Sequence, residues 1–277
     1  MSTDIPQEDG TVRSADGTTL AFRGWPVDGA RVTFAVIHGL GEHAGRYERF
    51  ATGMAKFGMG TFAVDLRGHG RSPGQRGHID SWSQWTDDAE SFVKHVEGLT
   101  SAEVVPLGHS FGGAVLASTM LAGKLPASRR FVLSSPALKV KVAVPGWKVT
   151  LGRLTSSVTP KLSLSNEVDP KTVSRIPEIV EAYRTDPLVH NKISSRTYTE
   201  WSRAASDIVS RAGEINVPFL ILAGTEDMLI DSKGSEALHA KAPAMSELHL
   251  LPGRYHESFN DRDSDEVFQM IAEWVNR

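Results

Sequence analysis

The chain predicts an α/β fold, a mostly parallel central sheet flanked by helices, and three observations carry that expectation. Short apolar runs recur at Val32 to Ile37, Met59 to Val64, Ala102 to Leu107, Arg130 to Leu133, Pro218 to Ala223 and Glu247 to Leu251, each of strand length. Helical patterns separate most of them, at about Arg46 to Lys56, Ile79 to Leu99, Gly112 to Ala122 and Asp231 to Ala242, with a last one at Glu266 to Asn276. Strands alternating with helices imply a parallel sheet. A chain of 277 residues with 40% hydrophobic content also sustains one large core.

Two segments depart from the alternation. Thr11 to Trp25 reads as a hairpin turning at Ala15-Asp16-Gly17, where Asp-Gly supplies the turn chemistry, and is expected at an antiparallel edge. From about Ala137 to Arg211 the pattern stops, and serine, basic residues and helix-like pieces take over. Residues 1–136 and 212–277 are therefore expected to form the core, and residues 137–211 an inserted helical lid. In the insertion Val140, Val144, Trp147, Leu151 and Leu154 share one helical face, partly shifted by Pro145-Gly146. Lys139, Lys141, Lys148, Arg153 and Lys161 accompany that face, and no acidic residue occurs between Val104 and Asn166. Such a face either packs on the core or rests on an anionic lipid surface.

Composition excludes several functions. A net charge of −3 lacks the single-sign field that draws a protein to nucleic acid. The absence of cysteine removes disulfides, thiolate catalysis and cysteine-ligated metal. The first residues, MSTDIPQEDG, are polar and acidic, and no run reaches the ~18 apolar residues of a membrane span. A soluble, cytoplasmic protein is expected.

Chemistry concentrates at Val104 to Ala114, VVPLGHSFGGA, a buried strand, a sharp turn and a helix start with Ser110 at the apex. Gly108, Ser110 and Gly112 form G-x-S-x-G, whose small residues let the backbone turn tightly enough to hold the hydroxyl above the sheet. Gly70, Ser72 and Gly74 repeat the pattern, but Pro73 lacks the N–H that the residue after the nucleophile gives to an oxyanion, and no strand and helix flank it. Ser72 is read as a turn serine.

A serine hydroxyl needs a base, and the base a group to orient it. In α/β-hydrolases acid and histidine follow the serine in that order, each after a strand. ILAGTEDMLID places Asp227 beyond one strand and LLPGRYHESF places His256 beyond the next. Of the ten histidines, His239 falls in a helix and His249 in a strand, while His38, His69 and His109 lie upstream in Gly-flanked loops. Glu226 and Asp231 compete with Asp227, though Asp231 suits a helix N-cap. The HGLG loop lets Leu40 donate a backbone N–H alongside Phe111 as an oxyanion hole.

HGLGEHAGRY, DLRGHGRS, GHSFGG, YRTDPLVH, GTEDMLIDSKG and PGRYHESFN occur in that order. Together they resemble the monoacylglycerol lipase family of α/β-hydrolases over nearly the whole chain. The resemblance implies a cytosolic or peripherally membrane-bound enzyme that cleaves monoacylglycerol into fatty acid and glycerol through an acyl-enzyme, with no cofactor or metal. It carries the triad to Ser110, Asp227 and His256 and the oxyanion donors to Leu40 and Phe111. It also places Glu42, Arg46 and Tyr183 near the glycerol end of the pocket, where loop-fixing salt bridges and a packed tyrosine are the plainer reading. Phe111 stands where many relatives have methionine, which alters pocket shape and not the backbone donor. A carboxylesterase or lysophospholipase with the same triad, or a non-catalytic small-ligand binder, are the rival readings.

Overall fold

The computed structural model describes residues 5–141, 156 and 158–277. Its strands are β1 (Glu8–Arg13), β2 (Thr19–Trp25), β3 (Val32–Ile37), β4 (Gly60–Val64), β5 (Glu103–His109), β6 (Phe131–Ser134), β7 (Ser163–Ser165), β8 (Lys192–Ser194), β9 (Phe219–Gly224) and β10 (Ser246–Leu251). Among the described helices are α1 (Glu48–Ala55), α2 (Trp82–Leu99), α3 (Phe111–Leu121), α4 (Pro177–Thr185), α5 (Ser195–Arg211), α6 (Lys233–Lys241) and α7 (Ser264–Val275). Eight strands form one sheet in the order β1-β2-β4-β3-β5-β6-β9-β10. All pairings from β4 to β10 are parallel. The hairpin β1-β2 supplies the antiparallel edge that its turn chemistry predicts.

The inner strands are apolar throughout because both of their faces are covered. In β3, Ala35 and Ile37 join a core cluster with Trp85 and Phe92 of α2 and Ala114 of α3. Phe34 and Val36, one residue out of phase, join the opposite cluster with Phe50 of α1 and Phe268 of α7. Complete burial of a side chain like Phe34 contributes about 2 kcal/mol. The DLRGHG loop belongs to this scaffold. Arg67 grips the buried carboxylate of Asp88 with Nε at 2.7 Å and reaches Asp16 of the hairpin turn with Nη1 at 2.6 Å.

The segment between β6 and β9 differs in part from the helical expectation. It contains α4 and α5, but also a two-stranded antiparallel ribbon, β7-β8. Strands of three residues are too short for a period-2 pattern to stand out. Val140, expected on a helical face, instead forms a β-bridge with Ile230, flanked by bonds from Asp231 N–H to the Lys139 carbonyl and from Lys141 N–H to the Leu229 carbonyl. The rest of that face, Val144, Trp147, Leu151 and Leu154, with Lys148 and Arg153, lies outside the described residues.

This segment is tied to the loops at the carboxyl ends of β3 and β4. His190 N–H donates to the Gly41 carbonyl at 2.8 Å, and Ser194 N–H to the Gly77 carbonyl at 2.9 Å. Asp186 lies 2.9 Å from His43 Nε2. The HGLGEH and YRTDPLVH stretches are therefore in direct contact. Among the described residues, no helix is long and apolar enough to cross a membrane.

Candidate active site

β5 ends at His109 and α3 begins at Phe111, leaving Ser110 at the corner with φ 52 and ψ −119. A positive φ is strained for serine, and it persists because the surroundings over-determine it. Ser110 N–H donates to the Ser134 carbonyl at 2.8 Å, and the Ser110 carbonyl accepts from Ala137 N–H at 2.9 Å. The flanking glycines are needed for close approach. A Cβ on Gly108 would come within 2.5 Å of the Gly112 carbonyl, and one on Gly112 would collide with the carbonyl of Ile37.

Two loops bring the candidate base and acid to this corner. His256 follows β10, and its Nε2 lies 2.8 Å from Ser110 Oγ. Asp227 follows β9, and its Oδ2 lies 2.7 Å from His256 Nδ1. The carboxylate accepts the Nδ1 proton, so Nε2 presents a lone pair to the serine hydroxyl. Oδ1 of Asp227 accepts from the amides of Leu229 and Ile230 at 2.8 and 2.9 Å. Burial opposes ionisation of Asp227, but His256 and those two amides outweigh it and hold its pKa below the ordinary value. Burial likewise disfavours the His256 imidazolium, yet Asp227 and, further off, Glu257 and Glu42 lift its pKa above the usual imidazole value. Those two directions describe one polarised pair.

The HGLG loop abuts the corner. An added Cβ on Gly39 would lie 3.2 Å from Ser110 Cβ. Leu40 and Phe111 both line the cavity above Ser110, and among the described residues neither amide donates to a loop, turn or side-chain acceptor. His38 fixes the loop from below. Its Nδ1 donates to the Gly39 carbonyl at 2.7 Å, and its Nε2 accepts from Leu66 N–H at 3.0 Å.

Glu42, Arg46 and Tyr183 come together beside the site. Glu42 accepts from Gly39 N–H at 2.6 Å and from Tyr47 O–H at 2.9 Å, which holds the HGLG loop. Arg46 Nη2 lies 2.6 Å from Glu257 Oε2, and its guanidinium stacks on the Tyr183 ring at 4.5 Å. Glu42 and Tyr183 line the cavity, whereas Arg46 is not among the lining residues. Burial raises both carboxyls, but only Glu42 overcomes it. Arg46, His109, His38 and the Gly39 amide bring it to about 2, while Glu257 stays above its ordinary value. Both carboxyls face Arg46, but Glu42 is also drawn down by His109, His38 and the Gly39 amide, whereas the neighbouring Glu42 charge pushes Glu257 up against the pull of Arg46 and Asn260.

Other candidates fall elsewhere. Ser72 Oγ is buried and bonds to the Ala21 amide and the Asp65 carbonyl, as a turn serine does. His239 lies in α6 and His249 in β10. Glu226 is exposed. Asp231 accepts from Lys233 N–H at the start of α6. Sequence reasoning overlooked Glu257, the main partner of Arg46, although it adjoins His256. It dismissed His109 by position, yet that ring packs 4.9 Å from His256 and is held neutral, its pKa pushed down to about 3 by burial and by His256.

Above Ser110 opens a cavity of about 450 Å³. Its walls include Leu40, Phe111, Val140, Leu162, Leu164, Trp201 and Ile230, with Glu42, His109 and Glu257 among the polar groups. Phe111 is itself wedged edge-to-face against Trp82, Trp85 and Trp201. A hydroxyl facing a carboxylate-oriented imidazole beneath an apolar cavity can transfer an acyl group.

Comparison with known proteins agrees with that chemistry. Residues 28–263 match the family model described as serine aminopeptidase, S33. A monoacylglycerol lipase of Mycolicibacterium smegmatis is 31% identical over 266 residues, covering 94% of this chain and 93% of the relative. The crystal structure of Paleococcus ferrophilus monoacylglycerol lipase superposes with a TM-score of 0.81 at 30% identity, covering 98% of each chain. An abhydrolase domain-containing protein of Dictyostelium discoideum is 32% identical over 95% of this chain, which spans only 28% of that longer relative. On these matches the chain belongs to the serine aminopeptidase, S33 family and, within it, to the monoacylglycerol lipase family of α/β-hydrolases, and is a carboxylic ester hydrolase.

Proposed function

We propose that the protein hydrolyses monoacylglycerols to fatty acid and glycerol through an acyl-enzyme on Ser110. His256 takes the hydroxyl proton as Ser110 Oγ attacks the ester carbonyl, and Asp227 orients the ring and stabilises the imidazolium. The Leu40 and Phe111 amides hold the oxyanion. His256 then protonates the departing glycerol oxygen, and water repeats the sequence to release the acid. The observation that carries this reading is the unbroken chain from Asp227 Oδ2 through His256 to Ser110 Oγ, at 2.7 and 2.8 Å.

The head group is argued from charge. Glu42 and Glu257 line the cavity, and among the described residues no lysine or arginine does. Arg46 is engaged with Glu257 behind the cavity wall, so a phosphate would meet carboxyl groups with no cation at the wall to receive it, whereas glycerol hydroxyls can donate to them. This favours a neutral glycerol ester over a lysophospholipid. Kinetics across matched acyl chains test it: kcat/KM for monoacylglycerol is expected to exceed that for lysophosphatidylcholine about tenfold or more, with lysophosphatidic acid lower still. The reverse order would assign the protein to lysophospholipid cleavage.

Residues 137–211 are read as the lid over this cavity. Val158 is 82% exposed, and Leu162 and Leu164, both at the cavity wall, are 45% and 54% exposed beside Lys161 and Lys192. An apolar rim with basic neighbours suits transient contact with a lipid surface. Lys139 and Lys141 contribute less, since Asp231 and the Asp227 carbonyl already engage them. Co-sedimentation is expected to retain more protein on phosphatidylserine-containing vesicles than on phosphatidylcholine vesicles. A Leu162→Ser, Leu164→Ser double variant is expected to lose that retention, and equal retention would remove the lipid-surface reading.

A further inference from the structure

We propose that Ser135 is a positioning residue for this reaction, its hydroxyl holding the loop that carries His256 against the nucleophile corner. The inference rests on the triad reading above and adds a member to it that touches no substrate. Ser135 is buried just beyond β6, and its Oγ donates to the backbone carbonyl of His256 at 3.1 Å. Its N–H donates to the Leu222 carbonyl in β9 at 2.7 Å. One residue thereby joins the loop bearing the base to the strand leading to Asp227.

The backbone is bent to make those bonds. Ser135 has φ 43, in the left-handed region, and it precedes Pro136, a position where the chain prefers an extended conformation. Among the described non-glycine residues only Ser110 and Glu167 share a positive φ. Strain of this kind persists where neighbouring contacts over-determine it, and such residues cluster at functional sites.

The neighbours of Ser135 supply those contacts and point to the same centre. The Ser134 carbonyl accepts from Ser110 N–H, and Ala137 N–H donates to the Ser110 carbonyl, so the segment clamps the nucleophile peptide from both sides. Pro136 packs on the first turn of α3, where a Cβ on Gly113 would lie 3.0 Å from it. The Ala137 carbonyl accepts from Trp201 Nε1 of α5 at 2.8 Å. Nucleophile, base loop and the segment over the cavity therefore meet at Ser134 to Ala137. Without the Ser135 hydroxyl the His256 carbonyl loses its partner and the ring loses a support that its two side-chain bonds do not replace.

Steady-state kinetics and fluorophosphonate labelling of Ser135→Ala test this. The expected result is a folded protein with kcat lowered about tenfold to a hundredfold and KM unchanged. The labelling rate should fall in the same proportion, and the acid limb of the kcat/KM profile should move to lower pH as the His256–Asp227 contact loosens. Ser135→Gly removes the hydroxyl but tolerates the positive φ. It should show the same kinetic loss with a melting temperature at or above that of the alanine variant, and it answers the question if the alanine variant does not fold. Parental kcat and labelling rate in either folded variant, or a change confined to KM, would overturn the proposal. Ser110→Ala is run in parallel: if it still labels, the triad reading itself fails, whereas loss of labelling there with parental Ser135 variants rejects only the role of Ser135.

Discussion

Replacing Ser110 with alanine is expected to lower kcat by about four or more orders of magnitude while leaving the fold intact. The effect is large because in the proposed reaction the hydroxyl oxygen becomes covalently linked to the acyl group, and no neighbouring side chain can take its place. His109 is buried and held neutral, and Ser72 is spent on backbone groups in a distant turn. The fold should tolerate the change, since the corner is set by bonds to the peptide of Ser110 from Ser134 and Ala137, not by its side chain. A circular dichroism melt together with ester turnover checks both halves. Parental turnover by Ser110→Ala would end the acyl-enzyme account.

Asp227→Asn is expected to cost about 10⁴ in kcat, nearly as much, by a different route. The aspartate accepts the Nδ1 proton at 2.7 Å and fixes the tautomer that leaves Nε2 free to act as base. An asparagine amide can donate to Nδ1 instead, which places the proton on the wrong nitrogen. The pH dependence supplies a second readout. His256 must be neutral to accept a proton, so kcat/KM of the parent falls as pH drops through the His256 pKa. Burial lowers that pKa, but Asp227 raises it further, and the acid limb is expected above the ordinary imidazole value. Removing the carboxylate charge should move the limb to lower pH while depressing the plateau. An acid limb that stays in place in Asp227→Asn would show that Asp227 does not govern the base.

Much of the central sheet and the three triad candidates were legible in the chain. Residues in β3 and β9 are apolar on both faces because helices cover both, and that pattern needs only nearest-neighbour periodicity to recognise. Ser110, Asp227 and His256 could be picked out because each lies just beyond a strand, in a loop whose small or turn-forming residues are visible locally. The ribbon β7-β8 escaped because three residues carry no period. Val140 was read by helical spacing, yet pairs with Ile230, a partner ninety positions away that local pattern cannot see. For Arg46 the resemblance offered a place near the glycerol end and the residue type a loop-fixing salt bridge; local pattern could not name its partners, Glu257 and Tyr183, because both come from distant parts of the chain.

The sequence by itself determined the strands and helices of the central sheet and its flanking layers, and which side chains have the chemistry of nucleophile, base and acid, since those depend on periodicity, turn residues and residue type within short windows. Only the tertiary structure decided which charges neutralise one another, that Glu42 steadies the HGLG loop while Arg46 turns to Glu257, and that Ser135 is bent to reach His256. Those outcomes are set by distances of a few ångströms between residues far apart along the chain, and hydrogen bonding and charge pairing act at that range whatever the separation in sequence.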